Sequence, residues 1–373
     1  MSRSLLEAIA TLTGTTIGAG ILALPYVVQK AGFLTGLLDF FIIGLSILFI
    51  NLAMGEVALR TKENHQLTGY ANKYLGKKGK LIALLVMIFG IYGALTAYII
   101  GEGKALAALF GGNELLYSFL FFLIASSIVF IGIRIVKKFE LVLASVSVLL
   151  IMLIIAMSIG KVNLDNLEQF DIKNLLIPYG VIFFAFLAIP AIPEMKEELS
   201  RNKKDLKKAI IIGTSNPFIA YILFTFAIIG AAGLNTSEIA TLNLEKAINN
   251  KVAVFFGFLL PIFSMSTAFL SLALALKEMY MYDLRLNKNV ALILTVLVPL
   301  IVVLLGVTDF IKILSVVGAL VAGVDGFLVI AIWRKAKKHG NRKPEYSVNL
   351  NKVLMLLIIL VFILAIAKVM LNF

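Results

Sequence analysis

A run of small and helix-breaking residues lies inside the first long apolar stretch of the chain. It reads Gly14-Thr-Thr-Ile-Gly-Ala-Gly-Ile-Leu-Ala-Leu-Pro25. Glycine weakens a helix, and proline removes a backbone donor and clashes with the preceding turn. At membrane depth every freed N–H and C=O group needs a partner, so a helix broken here has to face a cavity rather than lipid. The chemistry that such a break offers is recognition of a small charged ligand by main-chain groups.

A second interrupted stretch occurs about half a chain later. The segment from Ile177 to Glu194 carries Pro178, Gly180, Pro190 and Pro193 within one apolar run. Interruptions at corresponding positions of two halves are the best sequence indication of a binding site between inverted repeats. The alternative is that both are ordinary proline kinks of membrane helices. We favour paired breaks because each opens a set of five predicted spans.

Two such breaks can be positioned by a bundle of helices in a membrane. The composition of the chain predicts such a bundle. Of the 373 residues, 61% are hydrophobic and 15% are charged. We predict an all-α integral membrane protein with a single domain over residues 1–373, in which residues 5–160 and 175–332 form two inverted repeats and 353–372 an extra helix. The eleven predicted spans are 5–28, 33–59, 81–110, 115–133, 139–160, 175–195, 209–233, 252–276, 289–306, 310–332 and 353–372.

Basic residues are distributed unevenly between the two sides of the predicted membrane. The net charge is +13, and with the N-terminus inside, most of the 34 Lys and Arg residues fall on inner segments. Because positive residues favour the cytoplasmic side, we predict a multi-pass cell-membrane protein with its N-terminus in the cytoplasm and its C-terminus outside. The same distribution accounts for the basic charge without nucleic acid as a partner.

Enzyme signatures are missing from the sequence. The chain has no cysteine, His65 and His339 lie in separate inner loops, and no glycine-rich phosphate loop leads into Lys-Ser or Lys-Thr. A histidine metal site, an ATP-driven pump and Ser-His-Asp catalysis are therefore not predicted. A channel would favour polar stripes along several helices, and a membrane sensor would favour a sizeable soluble domain. We predict a transporter instead, with no cofactor other than a coupling ion.

The first break also carries a family resemblance. Gly14-Thr-Thr-Ile-Gly-Ala-Gly-Ile-Leu-Ala-Leu-Pro-Tyr26, followed by Lys30-Ala-Gly-Phe33, resembles the start of amino acid/auxin permeases, of the amino acid–polyamine–organocation superfamily. The resemblance extends in layout over nearly the whole chain. It implies a LeuT-like fold with two inverted five-helix repeats, broken helices 1 and 6, and an amino acid as substrate. Bacterial aromatic amino acid permeases often carry polar residues in the sixth-span break, whereas residues 186–192 here are wholly apolar. We therefore expect a small or aliphatic neutral amino acid.

The resemblance implies a substrate site whose main-chain groups are electrostatically complementary to an amino acid. N–H groups of the first break, at the positive end of a helix dipole, would bind the substrate carboxylate. Carbonyl groups of both breaks would bind its amino group, phenylalanines of the sixth span would line its side-chain pocket, and Tyr98 would donate to the carboxylate. For the aromatic residues the alternative is ordinary helix packing. The predicted substrate-binding residues are Thr15, Thr16, Gly18, Ala19, Gly20, Tyr98, Phe183, Phe184, Ala185 and Phe186.

A coupling cation has predicted ligands in the first and eighth spans. Sodium-coupled members of this fold hold a cation between these spans, which implies main-chain carbonyls of Gly14 and Ile17 and oxygens of Ser264, Ser266 and Thr267 as ligands. Oxygen ligands suit a hard cation such as Na⁺. The alternative for the Ser and Thr side chains is helix packing. Some proton-driven relatives carry a lysine within the fifth span, and residues 139–160 contain none, which favours Na⁺ over H⁺.

A proton remains the other candidate for coupling. Acidic residues inside membrane spans are costly and usually functional. The spans contain Asp39, Glu56, Glu102 and Asp325. Glu56 and Glu102 lie near span ends, where interfacial water is within reach, so we predict Asp325 as the proton carrier. The alternative for Asp325 is a buried acid that only packs.

Two loops complete the prediction. Residues 65–75 read as a short surface helix at the inner face. Residues 237–250 have Ile239, Leu242, Ala247 and Ile248 at helical spacing, as in an outer helix that either closes over the site or forms a static cap. The sequence leaves the oligomeric state open.

Overall fold

The computed structural model describes residues 2–131, 133–242, 244, 248, 250–282 and 284–371, with the backbone alone for residues 133–135, 137–141 and 282. Thirteen α-helices and several short 3-10 turns make up this part of the chain, which contains no β-strand. A helix satisfies its own backbone hydrogen bonds, so it is the form in which long apolar segments cross lipid. The prediction of an all-α membrane fold is confirmed.

The helices follow the predicted spans. Among the described residues, eight helices are long and apolar enough to cross a membrane, and α1 with α2, bent by 55°, makes a ninth span. The predicted sixth and ninth spans are present as shorter helices. The bounds are α1 Arg3–Thr16, α2 Gly20–Ala31, α3 Phe33–Arg60, α4 Leu67–Phe110, α5 Glu114–Ile131, α6 Ile133–Ile159, α7 Tyr179–Ala185, α8 Ala191–Glu198, α9 Leu206–Ala232, α10 Lys251–Tyr282, α11 Lys288–Leu304, α12 Phe310–His339 and α13 Lys352–Leu371.

The predicted inner surface helix is the first part of α4. Gly76 has a φ of +75°, a conformation that only glycine adopts without strain, and it interrupts the helix there. Residues 67–75 therefore form a separate helical arm, and the third span continues after the interruption.

The interior of the bundle is apolar and continuous. One hydrophobic cluster extends from Leu5 in α1 to Val369 in α13. Among the described spans, α12 and α3 are the most enclosed, with 67% and 61% of their apolar windows buried, whereas α13 has 22%. α1 packs mainly on α9 and α8, α10 on α6 and α4, and α12 on α4 and α7. This arrangement places the two broken spans at the centre of the bundle.

Candidate substrate site at two broken helices

The first break separates α1 from α2 at residues 17–19. The N–H of Gly18 donates to the carbonyl of Thr16 at 2.9 Å, and the N-cap residue Ala19 has no side-chain hydrogen bond to cap α2. Gly14 and Thr15 are exposed, and a Cβ built on Gly14 or Gly18 would meet no atom within 4 Å. Loosened backbone at membrane depth needs polar partners, which at this exposed side of the break would be water or a ligand.

The second break separates α7 from α8 at residues 186–190. The last turn of α7 tightens here, because the N–H of Phe186 donates to the carbonyls of Ile182 and Phe183, and that of Leu187 to Phe184. Pro190 is the N-cap residue of α8. Proline lacks a backbone N–H, and at the start of a helix that N–H would have no partner within the helix. The break is lined by apolar side chains, as the sequence indicates, and its polar groups are main-chain ones.

The two breaks meet at Gly20 and Ala185. A Cβ on Gly20 would lie 2.7 Å from the Cα of Ala185, so the start of α2 lies directly against the end of α7. Only glycine permits this approach, which explains one residue of the sequence motif in packing terms. The predicted residues Thr16, Ala19, Gly20 and Ala185 are thereby brought together.

A residue that sequence reasoning missed joins the two breaks. The hydroxyl of Tyr221, on α9, lies 2.6 Å from the carbonyl oxygen of Thr16 and 2.8 Å from that of Ala185. A hydroxyl has one hydrogen, so it donates to one of these carbonyls at a time. Tyr221 is fully buried, and its ring packs on Phe186 with centroids 5.2 Å apart. It therefore holds the C-terminal ends of α1 and α7 at a fixed separation.

The predicted aromatic residues divide into two groups. Tyr98 packs edge-on against Phe184, with ring centroids 6.5 Å apart, and both lie beside the breaks. Phe183 instead stacks on Phe362 of α13 at 5.2 Å, and Phe186 packs on Tyr221. The structure thus places Tyr98 and Phe184 together, while Phe183 and Phe186 hold α7 against its neighbours.

On the predicted outer side of the breaks, α7 and α12 are in close contact. A Cβ on Gly318 of α12 would lie 1.9 Å from the carbonyl oxygen of Gly180 on α7, and a Cβ on Gly180 would meet the Ser315 carbonyl at 2.2 Å. α7 and α12 therefore touch backbone to backbone. No water-filled path fits between helices at such a distance.

The loop after α9 adds a second outer closure. Its Ala240 N–H donates to the Leu22 carbonyl of α2 at 2.9 Å, and Thr241 donates to the Gly257 carbonyl of α10 at 2.6 Å. Glu238 pairs with Lys104 at 2.7 Å. Residues 236–242 are not helical as predicted, because these contacts to other helices fix the chain locally. Further along, the Ile248 N–H donates to the Leu244 carbonyl at 2.8 Å, as in a helical turn; residues 243, 245–247 and 249, Ala247 among them, lie outside the described residues.

The predicted cation ligands lie on helices with different neighbours. Gly14 and Ile17 belong to the α1 side, which packs on α9 and α8, whereas α10 packs on α6 and α4. The hydroxyl of Thr267 donates to Phe263 at 2.8 Å and that of Ser264 to Pro261 at 3.4 Å, both within α10. Their lone pairs remain available to a cation, but the structure does not bring the two sets of ligands together.

Ser266 has a different partner. Its hydroxyl donates to Oε1 of Glu102 on α4 at 2.7 Å, and Oε2 of Glu102 is buried without a hydrogen-bond partner. Glu102 is 0% exposed, so it does not reach interfacial water as the sequence suggested. Asp39 is also fully buried, with neither carboxylate oxygen bonded, and Asp325 is 8% exposed.

Glu56, the fourth predicted intramembrane acid, is a structural anchor. Its carboxylate accepts hydrogen bonds from Arg60, Trp333, Ser347 and the Val348 N–H, at 2.7 to 2.9 Å. A buried carboxylate with four donors is well satisfied. It fixes the segment between α12 and α13, residues 340–351, against the inner end of α3; we call this segment the inner strap.

The inner strap belongs to a polar network on the inner face. Asn341 in the strap contacts Glu63, and hydrogen bonds from Lys73, the backbone and Asn341 lower the pKa of Glu63 to about 2. Lys196 of α8 is buried and donates to the carbonyls of Thr61 and Glu63, at 3.0 and 3.1 Å. The inner half of the second broken span is therefore tied to the same loop as the strap.

The fold with two broken helices defines a class of membrane transporter. The structure aligns over its whole length with that of MhsT in complex with L-phenylalanine, with a TM-score of 0.66, 17% identity and 98% of that chain covered. At this identity the likeness shows the fold, and the predicted LeuT-like architecture is confirmed.

The sequence comparisons show the family. A model of the tryptophan/tyrosine permease family matches residues 1–369, and the chain belongs to this family. It is 30% identical to tyrosine-specific transport system 1 of Haemophilus influenzae, covering 93% of this chain and 92% of that protein. It is 26% identical to glutamine transporter 2 of Aliivibrio fischeri, covering 91% of each. The protein is thus a membrane transporter of an amino acid permease family and not an enzyme. The narrower prediction of the amino acid/auxin permease family is not confirmed.

Proposed function

We propose that the protein is a secondary active transporter that imports neutral amino acids by alternating access. The observation that carries this proposal is the meeting of the two breaks, where Gly20 lies against Ala185 and Tyr221 reaches the carbonyls of Thr16 and Ala185. Main-chain donors and acceptors from two half-helices converge there without a carboxylate or a lysine, which suits a zwitterion of no net charge.

Each end of an amino acid has a place in this arrangement. The first-turn N–H groups of α2 and its positive dipole end would bind the carboxylate. The carbonyls at the ends of α1 and α7 would bind the ammonium group, sharing it with the Tyr221 hydroxyl. Tyr98 and Phe184 would enclose the substrate side chain from the outer side. The apolar break at residues 186–192 favours small or aliphatic side chains, while the named relatives add glutamine and tyrosine to the substrates to test.

The arrangement described above corresponds to an inward-facing state. The outer side is closed by α7 on α12 and by the loop after α9, whereas Gly14 and Thr15 are exposed at the inner half of the first break. The charge distribution supports a cytoplasmic N-terminus and an outer C-terminus. The exposed face is then the cytoplasmic one, from which an imported amino acid would leave.

Two ions are candidates for coupling. Na⁺ is supported by the oxygen-rich stretch of α10 and by the absence of a lysine from residues 139–160. A Na⁺ ion held by both α10 and the carbonyls of Gly14 and Ile17 would draw α1 towards α10. A proton is supported by a different observation, the contact of Ser266 with the buried Glu102.

The proposed function is tested by uptake into proteoliposomes. Labelled alanine, leucine, glutamine and tyrosine are offered separately under an inward Na⁺ gradient, an inward proton gradient, or neither. Accumulation above the outside concentration under one gradient supports active transport and names the ion. Equilibration without accumulation would instead indicate a channel. If no amino acid crosses or exchanges in vesicles with folded protein, the proposal is wrong.

The site itself is tested by Gly18→Val. A side chain at Gly18 meets no protein atom within 4 Å, so valine fits sterically but projects into the path that the ligand would use. We expect amino acid affinity to fall at least about tenfold, a cost of roughly 1.4 kcal/mol. Gly160→Val is the matched control, since Gly160 has equally open surroundings far from the breaks. Equal affinities in the two variants would place the substrate elsewhere.

A further inference from the structure

Glu102 lies on α4 near a residue of the candidate substrate site, and its carboxyl contacts a predicted cation ligand. On α4 it is one helical turn beyond Tyr98, which packs on Phe184 of α7. Residues four apart lie on the same helix face, so Glu102 and Tyr98 are neighbours. On its other side Glu102 accepts from Ser266, in the α10 stretch where the sequence predicts ion ligands. Glu102 thus joins α4 to α10, one turn along α4 from the tyrosine that packs on α7.

The described contacts of Glu102 do not form a metal site. Its carboxyl has one described side-chain hydrogen bond, from the Ser266 hydroxyl, and it belongs to no group of three or more His, Cys, Asp or Glu among the described residues. Hard cations bind roughly six or more oxygen ligands. The side-chain hydrogen bonds described for Glu102 supply one hydroxyl besides its own carboxyl. A proton needs neither space nor further ligands.

Charged groups on the neighbouring elements have other partners or positions. Lys104, on the same helix, pairs with Glu238 of the outer loop. Glu114 lies exposed at the start of α5, and Asp309 caps the start of α12, where Lys312 also lies. On α10 the contact to Glu102 is the neutral Ser266. An unpaired carboxylate in such a place is costly, whereas a protonated one is far less so.

We propose that Glu102 carries the coupling proton and that the Ser266 hydroxyl positions it. The proposal rests on the proposed function and names its ion. The carboxylate takes one proton from outer water while the outer side is open, and releases it to inner water in the inward-facing state. Ser266, which is partly exposed, is the hydrogen-bond partner through which the buried carboxyl would exchange its proton with water. Because the zwitterion is neutral, each cycle moves one positive charge inward.

The experiment compares wild type with Glu102→Gln in proteoliposomes, using a labelled mixture of neutral amino acids. Glutamine keeps the size of the side chain and mimics the protonated acid. We expect proton-driven accumulation to fall at least tenfold, and uptake to lose its dependence on pH and membrane potential. Exchange of labelled for unlabelled amino acid without any gradient should persist, which also reports that the variant is folded.

Two sets of variants keep the proposal separate from its rivals. Glu114→Gln, an exposed acid near the outer end of α4, is the matched control and should accumulate amino acids like wild type. Ser266→Ala should shift the pH profile of uptake while keeping proton coupling. Proton-driven accumulation that persists in Glu102→Gln overturns the proposal. Proton-driven accumulation that is lost only in Asp325→Asn, or only in Asp39→Asn, overturns it as well.

The outcomes also distinguish this proposal from the function on which it rests. If wild type accumulates amino acids under a Na⁺ gradient only, Glu102 is not the coupling residue but the transport function stands. If wild type neither accumulates nor exchanges amino acids, the proposed function itself fails.

Discussion

At the scale of single residues, the candidate substrate site consists mainly of main-chain N–H and C=O groups. The positions of these groups were predictable from the sequence. Glycine and proline report on the backbone directly, so Gly18, Gly20 and Pro190 mark the breaks in the sequence. Tyr221 could not be found in this way. Its partners Thr16 and Ala185 lie 205 and 36 residues away, and a lone tyrosine in an apolar helix usually packs without special function. The carboxyl of Glu102 was judged by its distance from a span end, which does not reveal its burial.

Removing one hydroxyl tests the junction of the breaks. Tyr221→Phe leaves a buried carbonyl of Thr16 or Ala185 without its donor, at a cost of about 1–3 kcal/mol. We expect a lower melting temperature and at least about fivefold weaker amino acid binding.

The control for this variant is Tyr92→Phe, since the Tyr92 hydroxyl bonds Tyr280 and the Leu294 carbonyl away from the breaks. It should lower stability without affecting amino acid affinity. If both variants bind the amino acid equally well, Tyr221 serves stability alone.

At the scale of helices, the sequence predicted where spans run but not which of them touch. Span positions follow from apolar length, and the sixth span was expected to be interrupted. The contact of α7 with α12 depends on Gly318, which lies in an ordinary run of small residues and carries no signal of its own. The first part of the loop after α9, residues 236–242, is not helical for a related reason. Its conformation is set by hydrogen bonds to α2 and α10 rather than by its own periodicity.

The α7–α12 contact makes a prediction about closure. In Gly318→Ala the added Cβ meets backbone atoms, the Gly180 oxygen at 1.9 Å and the Phe184 nitrogen at 2.6 Å, so the helices must separate. We expect the outer side to stay open and steady-state transport to fall at least about tenfold, equivalent to roughly 1.4 kcal/mol.

Gly323→Ala on the same helix is the control for closure. Its new Cβ meets the end of the flexible Ile366 side chain, which can move aside. We expect it to transport amino acids at close to the wild-type rate. Equal rates in the two variants would show that backbone contact between α7 and α12 does not limit closure.

At the scale of the whole molecule, the proposed inward-facing state determines which side of the membrane reaches the first break. The α7–α12 contact and the exposure of Gly14 and Thr15 are the observations that support this proposed state. Charge distribution predicted the orientation of the chain, but no sequence pattern predicts which of two alternating states is the stable one. The free-energy difference between the two states depends on the sum of many contacts.

The native chain has no cysteine, so a single introduced thiol reports access without background. Thr15→Cys should react with a membrane-impermeant maleimide from the cytoplasmic side several times faster than from outside. A saturating amino acid substrate should slow the reaction. In Gly318→Ala the same thiol should lose its preference for the cytoplasmic side. Faster labelling from outside in otherwise native protein would mean that the orientation or the assigned state is wrong.

The inner strap has a practical consequence for anyone modifying this transporter. The stretch between α12 and α13 looks like a connector suited to an epitope or a fluorescent protein, but Ser347 and the Val348 N–H hold it to Glu56, and Tyr346 donates to Leu52 at 2.7 Å. An insertion there would strip donors from a buried carboxylate. The turn at Gly111 and Gly112 is exposed and tolerates length changes better, so cargo for imaging or purification belongs on that turn.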